Sequence, residues 1–385
     1  MRRGTIFFAL ATSVGCAPPE DSEVPATYEG EHVLVYTSGD NTLCAGSMAH
    51  MDAFVERLSA EFGLEPPRGD ERIRFHWLTK DSVKDACGAA VAGCAPDGEV
   101  FSRYAPLDHE LVHAVAAPFG LPRSLFAEGL AVTYEDIGHG PVTQYFGASS
   151  DVLALVEADQ IEFSEQDGYR LAGAFTSYLI ERFGIAAYLG AYAAIDRYAT
   201  RDEVDSEFRR AFHETLEDTV ADFQALLPGA GSQCNQPGFG AKLMECAAPE
   251  LAWDGEHLAL ERSVSCSDPA SIGPFDDKIV VLYTLTLPSG GTYELRMDGD
   301  DRPAEEIPDF TLGSQAVTGV SLHQCGGCTA WGAISTWIGS TPQRTQLPAG
   351  TYSLRLHAPA AEGIVLGFSF SRIDSTVTVT GLSAP

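Results

Sequence analysis

The chain has 385 residues, 45% of them hydrophobic, which is enough for two domains with their own cores. Acidic residues outnumber basic ones 54 to 24, for a formal charge of −30. That balance argues against nucleic acid as a partner and against electrostatic attachment to anionic lipid, and it suits a solvated protein outside the cell.

In chain order, Arg2 and Arg3 precede an apolar stretch at residues 5–14 that is too short to span a bilayer, and this reads as a targeting segment. It ends in Ser13-Val14-Gly15-Cys16, which resembles a bacterial lipobox with Ser13 where Leu is usual. The resemblance implies cleavage behind Gly15 and lipidation of Cys16; ordinary signal-peptide cleavage nearby is the competing reading. Losing Arg2 and Arg3 with the leader takes the charge from −30 to −32. Ala17 lacks the Asp that retains such proteins at an inner membrane. An outer-membrane lipoprotein facing periplasm or exterior is expected, with the lipid as its sole membrane contact. Residues 17–30 read as a tether.

Residues 30–105 look mixed α/β. Strands are expected at 32–37, 72–78 and 99–104, with a helix at 48–62 whose apolar positions are Met51, Phe54, Val55, Leu58 and Phe62. The next segment, His109-Glu110-Leu111-Val112-His113, carries the chemistry. On a helix, residues four apart project from one face, so His109 and His113 can grip one Zn²⁺ while Glu110 lies beside it as a general base. Pro118, Gly120 and Pro122 end that helix. A second helix at 123–135 carries Glu128, the obvious third ligand, which leaves the fourth position for water. Gly129 costs that helix about 1 kcal/mol relative to Ala. Close packing of the two helices around the metal is the expected compensation.

These residues resemble the gluzincin metallopeptidases: His109-Glu110-x-x-His113 with Glu128-Gly129-Leu130-Ala131, followed by Tyr169-Arg170-Leu171-Ala172-Gly173-Ala174-Phe175, Tyr178-Leu179 and Arg182-Phe183-Gly184. The likeness covers roughly residues 70–227. It implies a small sheet with helices, a Zn²⁺ cofactor held by His109, His113 and Glu128, and Glu110 as catalytic base acting on a polypeptide. It also implies that a sheet edge, at 99–104 or 72–78, receives an extended substrate. Tyr169 is the implied oxyanion donor, with a core tyrosine as the rival role. One departure stands out. Such enzymes place an Asp four residues after the glutamate ligand to support a histidine, and here that position is Val132, so the group orienting the histidines is open.

Apolar spacing continues helical to residue 227, and Gly229-Ala230-Gly231-Ser232 reads as a linker. Strands are then expected at 278–287, 292–297, 316–322, 351–357, 364–373 and 376–380, which points to a β-sandwich. Two turns, Leu285-Thr286-Leu287-Pro288-Ser289-Gly290-Gly291-Thr292-Tyr293 and Leu347-Pro348-Ala349-Gly350-Thr351-Tyr352, resemble those of sandwich modules appended to secreted peptidases. Asp298-Gly299-Asp300-Asp301 offers oxygen ligands without a complete Ca²⁺ set and reads as a solvated turn.

Setting Cys16 aside leaves eight cysteines, an even number that favours disulfides in an exported chain. The local pairs Cys87–Cys94 and Cys325–Cys328 are the simplest expectations.

The fold class expected is therefore α+β: signal peptide 1–16, tether 17–30, zinc peptidase domain 31–228, linker 229–250 and all-β sandwich 251–385. If the helix at 216–227 closes the first core, a chain cut near residue 231 stays folded and active, with bridges from Cys234, Cys246 or Cys266 across the boundary left open. A bridge from Cys44, Cys87 or Cys94 to a cysteine beyond 230 contradicts the division into two domains. The alternative function is a catalytically silent surface binding lipoprotein that keeps the peptidase fold, with Val132 as its support. Any ligand of the sandwich is unknown.

Overall fold

The computed structural model describes residues 25–39, 41–89, 91–137, 151–158, 168–226, 244–253, 256–275, 278–299, 318–325, 334–337, 341–360 and 364–373. Cys16, most of the linker, Cys234, Cys328, Asp300, Asp301 and the strand expected at 376–380 lie outside the described residues. The fold is α+β, as expected.

Strands β1 (Tyr28–Glu29), β2 (Val33–Thr37), β3 (Ile73–Trp77), β4 (Gly93–Cys94) and β5 (Val100–Ser102) form one sheet in the order β1-β2-β3-β5-β4. The pairings β2–β3 and β3–β5 are parallel, and the two edge strands run antiparallel to their neighbours. Alternation along the strands puts Val33, Val35, Ile73, Phe75, Trp77 and Val100 on one buried face. Helix α1 (Ser47–Phe62) connects β2 to β3 and buries Met51, Phe54, Val55, Leu58 and Phe62, the stripe its spacing predicts.

Helix α2 (Lys80–Cys87) precedes β4. Then come α3 (Asp108–Ala116), α4 (Ser124–Tyr134), α5 (Val152–Leu155), α6 (Gly168–Phe183), α7 (Ile185–Ala194), α8 (Arg201–Phe212) and α9 (Leu216–Leu226). Helices α3 to α9 share one core with the sheet.

Neither segment expected to offer a free sheet edge does so. β3 is paired on both sides, by β2 and β5, and β5 is paired by β3 and β4. The edge on the α3 side is β4, two residues long, and too short for alternation to reveal.

The C-terminal half contains β6 (His257–Val264), β7 (Ser271–Phe275), β8 (Lys278–Leu287), β9 (Gly291–Gly299), β10 (Gly319–Gln324), β11 (Ile334–Trp337), β12 (Gln343–Leu347), β13 (Gly350–Pro359) and β14 (Ile364–Ile373). They form two antiparallel sheets, β11-β10-β13-β8-β7 and β12-β9-β14-β6, around a second core that includes Leu285, Tyr293, Leu295, Tyr352, Leu354 and Phe370. The two similar turns use one device. The Tyr293 hydroxyl donates to the Ser289 carbonyl at 2.6 Å, and the Tyr352 hydroxyl to the Pro348 carbonyl at 2.8 Å. Each buried phenol thereby satisfies its polar tip on the backbone four residues earlier.

Cys87 and Cys94 are bonded as expected, pinning α2 to β4. Cys325 is not bonded to Cys328; its partner is Cys246. A short turn, Met244–Ala247, is held against β8, where the Thr284 hydroxyl donates to the Ala248 carbonyl at 2.8 Å, and that docking brings Cys246 to the end of β10.

The independence of the two halves is overturned as well. Cys44 is bonded to Cys266, 222 residues away. Around that bridge, the amides of Cys44, Ala45 and Gly46 donate to the carbonyls of Gly273, Cys266 and Ser271 at 2.8–2.9 Å. The Ser47 hydroxyl lies 2.9 Å from both the carbonyl and the amide of Gly273. A side chain at Gly46 has no room, since its Cβ would lie 2.6 Å from the Pro269 carbonyl. A chain cut near residue 231 loses these contacts and exposes the surface they cover. The bridge also closes a long loop of the unfolded chain, so Cys44→Ala/Cys266→Ala should lower stability by about 2–5 kcal/mol in urea unfolding. An unchanged urea midpoint would remove this staple from the account of the fold.

Candidate metal centre

Asp108 opens α3 and is fully buried. Its carboxylate accepts from the Ile137 amide at 2.8 Å and from His50 Nε2 at 3.0 and 3.1 Å. This anchors the first turn of the helix, so the orientation of the next residue, His109, is fixed by buried contacts and not by the helix alone.

His109 and His113 project from one face of α3 toward Glu128 in the middle of α4. His109 Nε2 is 3.0 Å from Glu128 Oε2, and His113 Nε2 is 3.4 Å from the same oxygen. Ligand atoms of a tetrahedral ion held at about 2.0–2.1 Å sit about 3.3 Å from one another, so these separations fit such an ion. Among the described residues, His109, His113 and Glu128 are the one group of three His, Cys, Asp or Glu side chains disposed to hold a metal ion, with donor atoms within 4.8 Å of one another.

For His109, the open question of what orients the ring has an answer. His109 Nδ1 donates to Glu135 Oε2 at 2.8 Å, with both side chains buried. Glu135 lies seven residues after Glu128, two helical turns on, where the chain leaves α4. With Nδ1–H committed to Glu135, Nε2 is the nitrogen turned toward Glu128 and His113, as a metal ligand requires. Val132, at the position expected to be acidic, packs instead with Tyr169 and Cys246. Sequence reasoning missed Glu135; the available signal was its place on the same helical face as Glu128.

The electrostatics suit a cation. Burial disfavours protonated His109, yet hydrogen bonds to Glu128 and Glu135, with the charges of Glu135 and Glu110, outweigh it and hold the pKa well above the ordinary value. Burial likewise disfavours the Glu128 anion, but the charge of His113 and hydrogen bonds from both histidines bring its pKa well below the usual carboxylate range. The centre is a nest of carboxylates that asks for positive charge, which a divalent ion supplies in place of protons.

Glu110 is buried on the same helix and outside the ligand trio. Its neighbour is the sheet edge: a Cβ on Gly93 of β4 would lie 2.9 Å from Glu110 Cγ and 2.9 Å from the Phe101 carbonyl. A glycine there lets the edge strand pass close to the stem of that side chain. Gly129 also answers a close approach, though not the expected one. Its Cβ would fall 2.3 Å from Thr176 Oγ1 and 2.8 Å from the Ala172 carbonyl, both on α6. The glycine thus seats α4 against α6, and not against α3. On α6, the Tyr169 ring lies 6.1 Å from that of His109, close to the centre and half-buried. A cleft of about 520 Å³ between Arg72, Arg74, Glu99 and Ala114 contains none of these site residues.

No family model matches the chain, and no curated protein matches it. Among solved structures, the pre-peptidase C-terminal domain of collagenase from Bacillus anthracis aligns with 32% of this chain and 92% of that one, at 11% identity and a TM-score of 0.21. A GH115 4-O-methyl-α-glucuronidase aligns with 69% of this chain and 38% of that one, at 10% identity and a TM-score of 0.16. Both likenesses are too slight to bear on fold or activity.

Proposed function

We propose that the chain is a zinc-dependent peptidase of the gluzincin type. The observation that carries this reading is the trio His109, His113 and Glu128, with the carboxylate Glu110 on the same helix beside a sheet edge. Two imidazoles and a carboxylate suit Zn²⁺, and three protein ligands leave a position for water. When bound, the metal lowers the pKa of that water toward 7 and polarises a carbonyl oxygen. Glu110 takes the proton from the attacking water at its carboxylate and passes it to the leaving amine. Glu135 keeps His109 in register through both events.

The β4 edge supports an extended polypeptide as substrate, because an added strand there would run past Glu110. Tyr169, whose ring lies 6.1 Å from that of His109, is our assignment for the oxyanion donor as the scissile carbonyl turns tetrahedral. The silent-binder alternative leaned on Val132, and Glu135 supplies the carboxylate that Val132 does not.

Disulfides point to a compartment outside the cytoplasm, and no helix among the described residues is long and apolar enough to cross a membrane. An N-terminal lipid on Cys16, placing the enzyme at the cell envelope, completes the proposal.

The test is metal content with cleavage of an unfolded protein such as casein. Protein from residue 24 onward should hold one Zn²⁺ per chain and cleave casein, and His109→Ala/His113→Ala should lose both. Stoichiometric zinc in that double variant would sink the ligand assignment.

A further inference from the structure

We infer that the C-terminal two-sheet half is part of the metal centre's support, and that Arg355 on β13 is a positioning residue for it. The inference rests on reading His109, His113 and Glu128 as a metal site. Glu135, which orients His109, stands where α4 ends: its φ of −59° is still helical, and its ψ of 141° turns the chain out of the helix. The helix still sets the direction of its Cβ, through the Glu135 amide bonded to the Ala131 carbonyl at 2.8 Å, and the residues that follow fix how that end of the helix is held.

Those residues are clamped from two sides. Arg355 Nη2 lies 3.0 Å from Asp136 Oδ1, and its Nη1 donates to the Asp136 carbonyl at 3.0 Å. One guanidinium thus grips both the side chain and the backbone of the residue next to Glu135, and its planar fork fixes direction as well as distance. Arg355 is 4% exposed and Asp136 is 0% exposed, so water competes little for these bonds. On the other side, the Ile137 amide donates to Asp108, the residue before His109, and the Asp108 amide donates to the Ile137 carbonyl at 3.2 Å. Ile137 packs among Ile272, Val280 and Leu282 of β7 and β8. The segment 135–137 is therefore a strip between α3 and the C-terminal sheet, and it carries the carboxylate that sets the His109 ring.

Removing Arg355 alone would strand a buried Asp136 charge, so the charges are removed together. In the full-length chain, Asp136→Asn/Arg355→Met should still fold, by circular dichroism and a cooperative thermal transition. It should bind Co²⁺ at least ten-fold more weakly, with an altered visible Co²⁺ spectrum, as disturbed outer partners of a metal ligand do. Arg355→Lys keeps the charge but not the fork and should weaken Co²⁺ binding at least three-fold. Tyr293→Phe, which loses a hydrogen bond in the sheet that does not carry Arg355, should lower the thermal midpoint and leave Co²⁺ affinity unchanged. Wild-type affinity and spectrum in the folded double variant would overturn the inference. If the double variant does not fold, Arg355→Lys decides: three-fold weaker binding upholds the positioning role, and unchanged binding overturns it. An unmodified chain that binds no Co²⁺ overturns both this inference and the metal-site reading, whereas an unmodified chain that binds Co²⁺ without cleaving casein counts against the peptidase reading alone.

Discussion

Replacing Glu110 by Gln should leave the metal in place and lower peptide hydrolysis by about 10²-fold or more. The amide keeps the side chain's size and hydrogen-bonding reach beside Gly93, where the strand leaves little space. What it loses is the capacity to take a proton from water. Glu110 is not among the three donors, so metal content should not change. Zinc analysis and casein cleavage on the same sample separate the two effects. Hydrolysis at the unmodified rate would show that another group carries the proton, and Glu110 would then have no part in the mechanism.

Glu135→Gln should act in the opposite sense, weakening the metal site about 10–100-fold, the usual consequence of losing an outer carboxylate. The neutral amide still accepts a hydrogen bond from His109 Nδ1, but it no longer stabilises positive charge on the ring or raises the basicity of Nε2. Competition with a chelator of known affinity measures the change. A metal affinity equal to that of the unmodified chain would mean that the 2.8 Å contact contributes nothing to ligation. Paired with Glu110→Gln, this variant separates the residues proposed to hold the metal from the one proposed to move a proton.

The strands show how far the sequence carried. Five strands of the C-terminal sheets, β8, β9, β10, β13 and β14, were expected from their apolar alternation, and all five are interior strands. Those missed, β6, β7, β11 and β12, are the four sheet edges, as β1 and β4 are in the first sheet. On β12 the reason is physical: an edge strand with one neighbour and a wetter face tolerates residues such as Gln343, Arg344 and Gln346 that hide the pattern. The missed edges include β4, the strand beside Glu110.

The sequence by itself determined the trio able to hold a metal ion, because helical spacing and one nearby glutamate are local facts: His109 and His113 share a face of α3, and Glu128 sits mid-helix in α4. It also determined α1, the interior strands and the Cys87–Cys94 pair, all governed by neighbours within a few residues. Only the tertiary structure decided that Glu135 orients His109, that Cys44 and Cys246 find Cys266 and Cys325, and that Arg355 reaches Asp136 from 219 residues away. Each of these joins segments whose approach depends on how whole sheets and helices pack, and no spacing along the chain encodes such a distance. The two halves have separate cores, yet the buried ion pair and the crossing disulfide make one the support of the other.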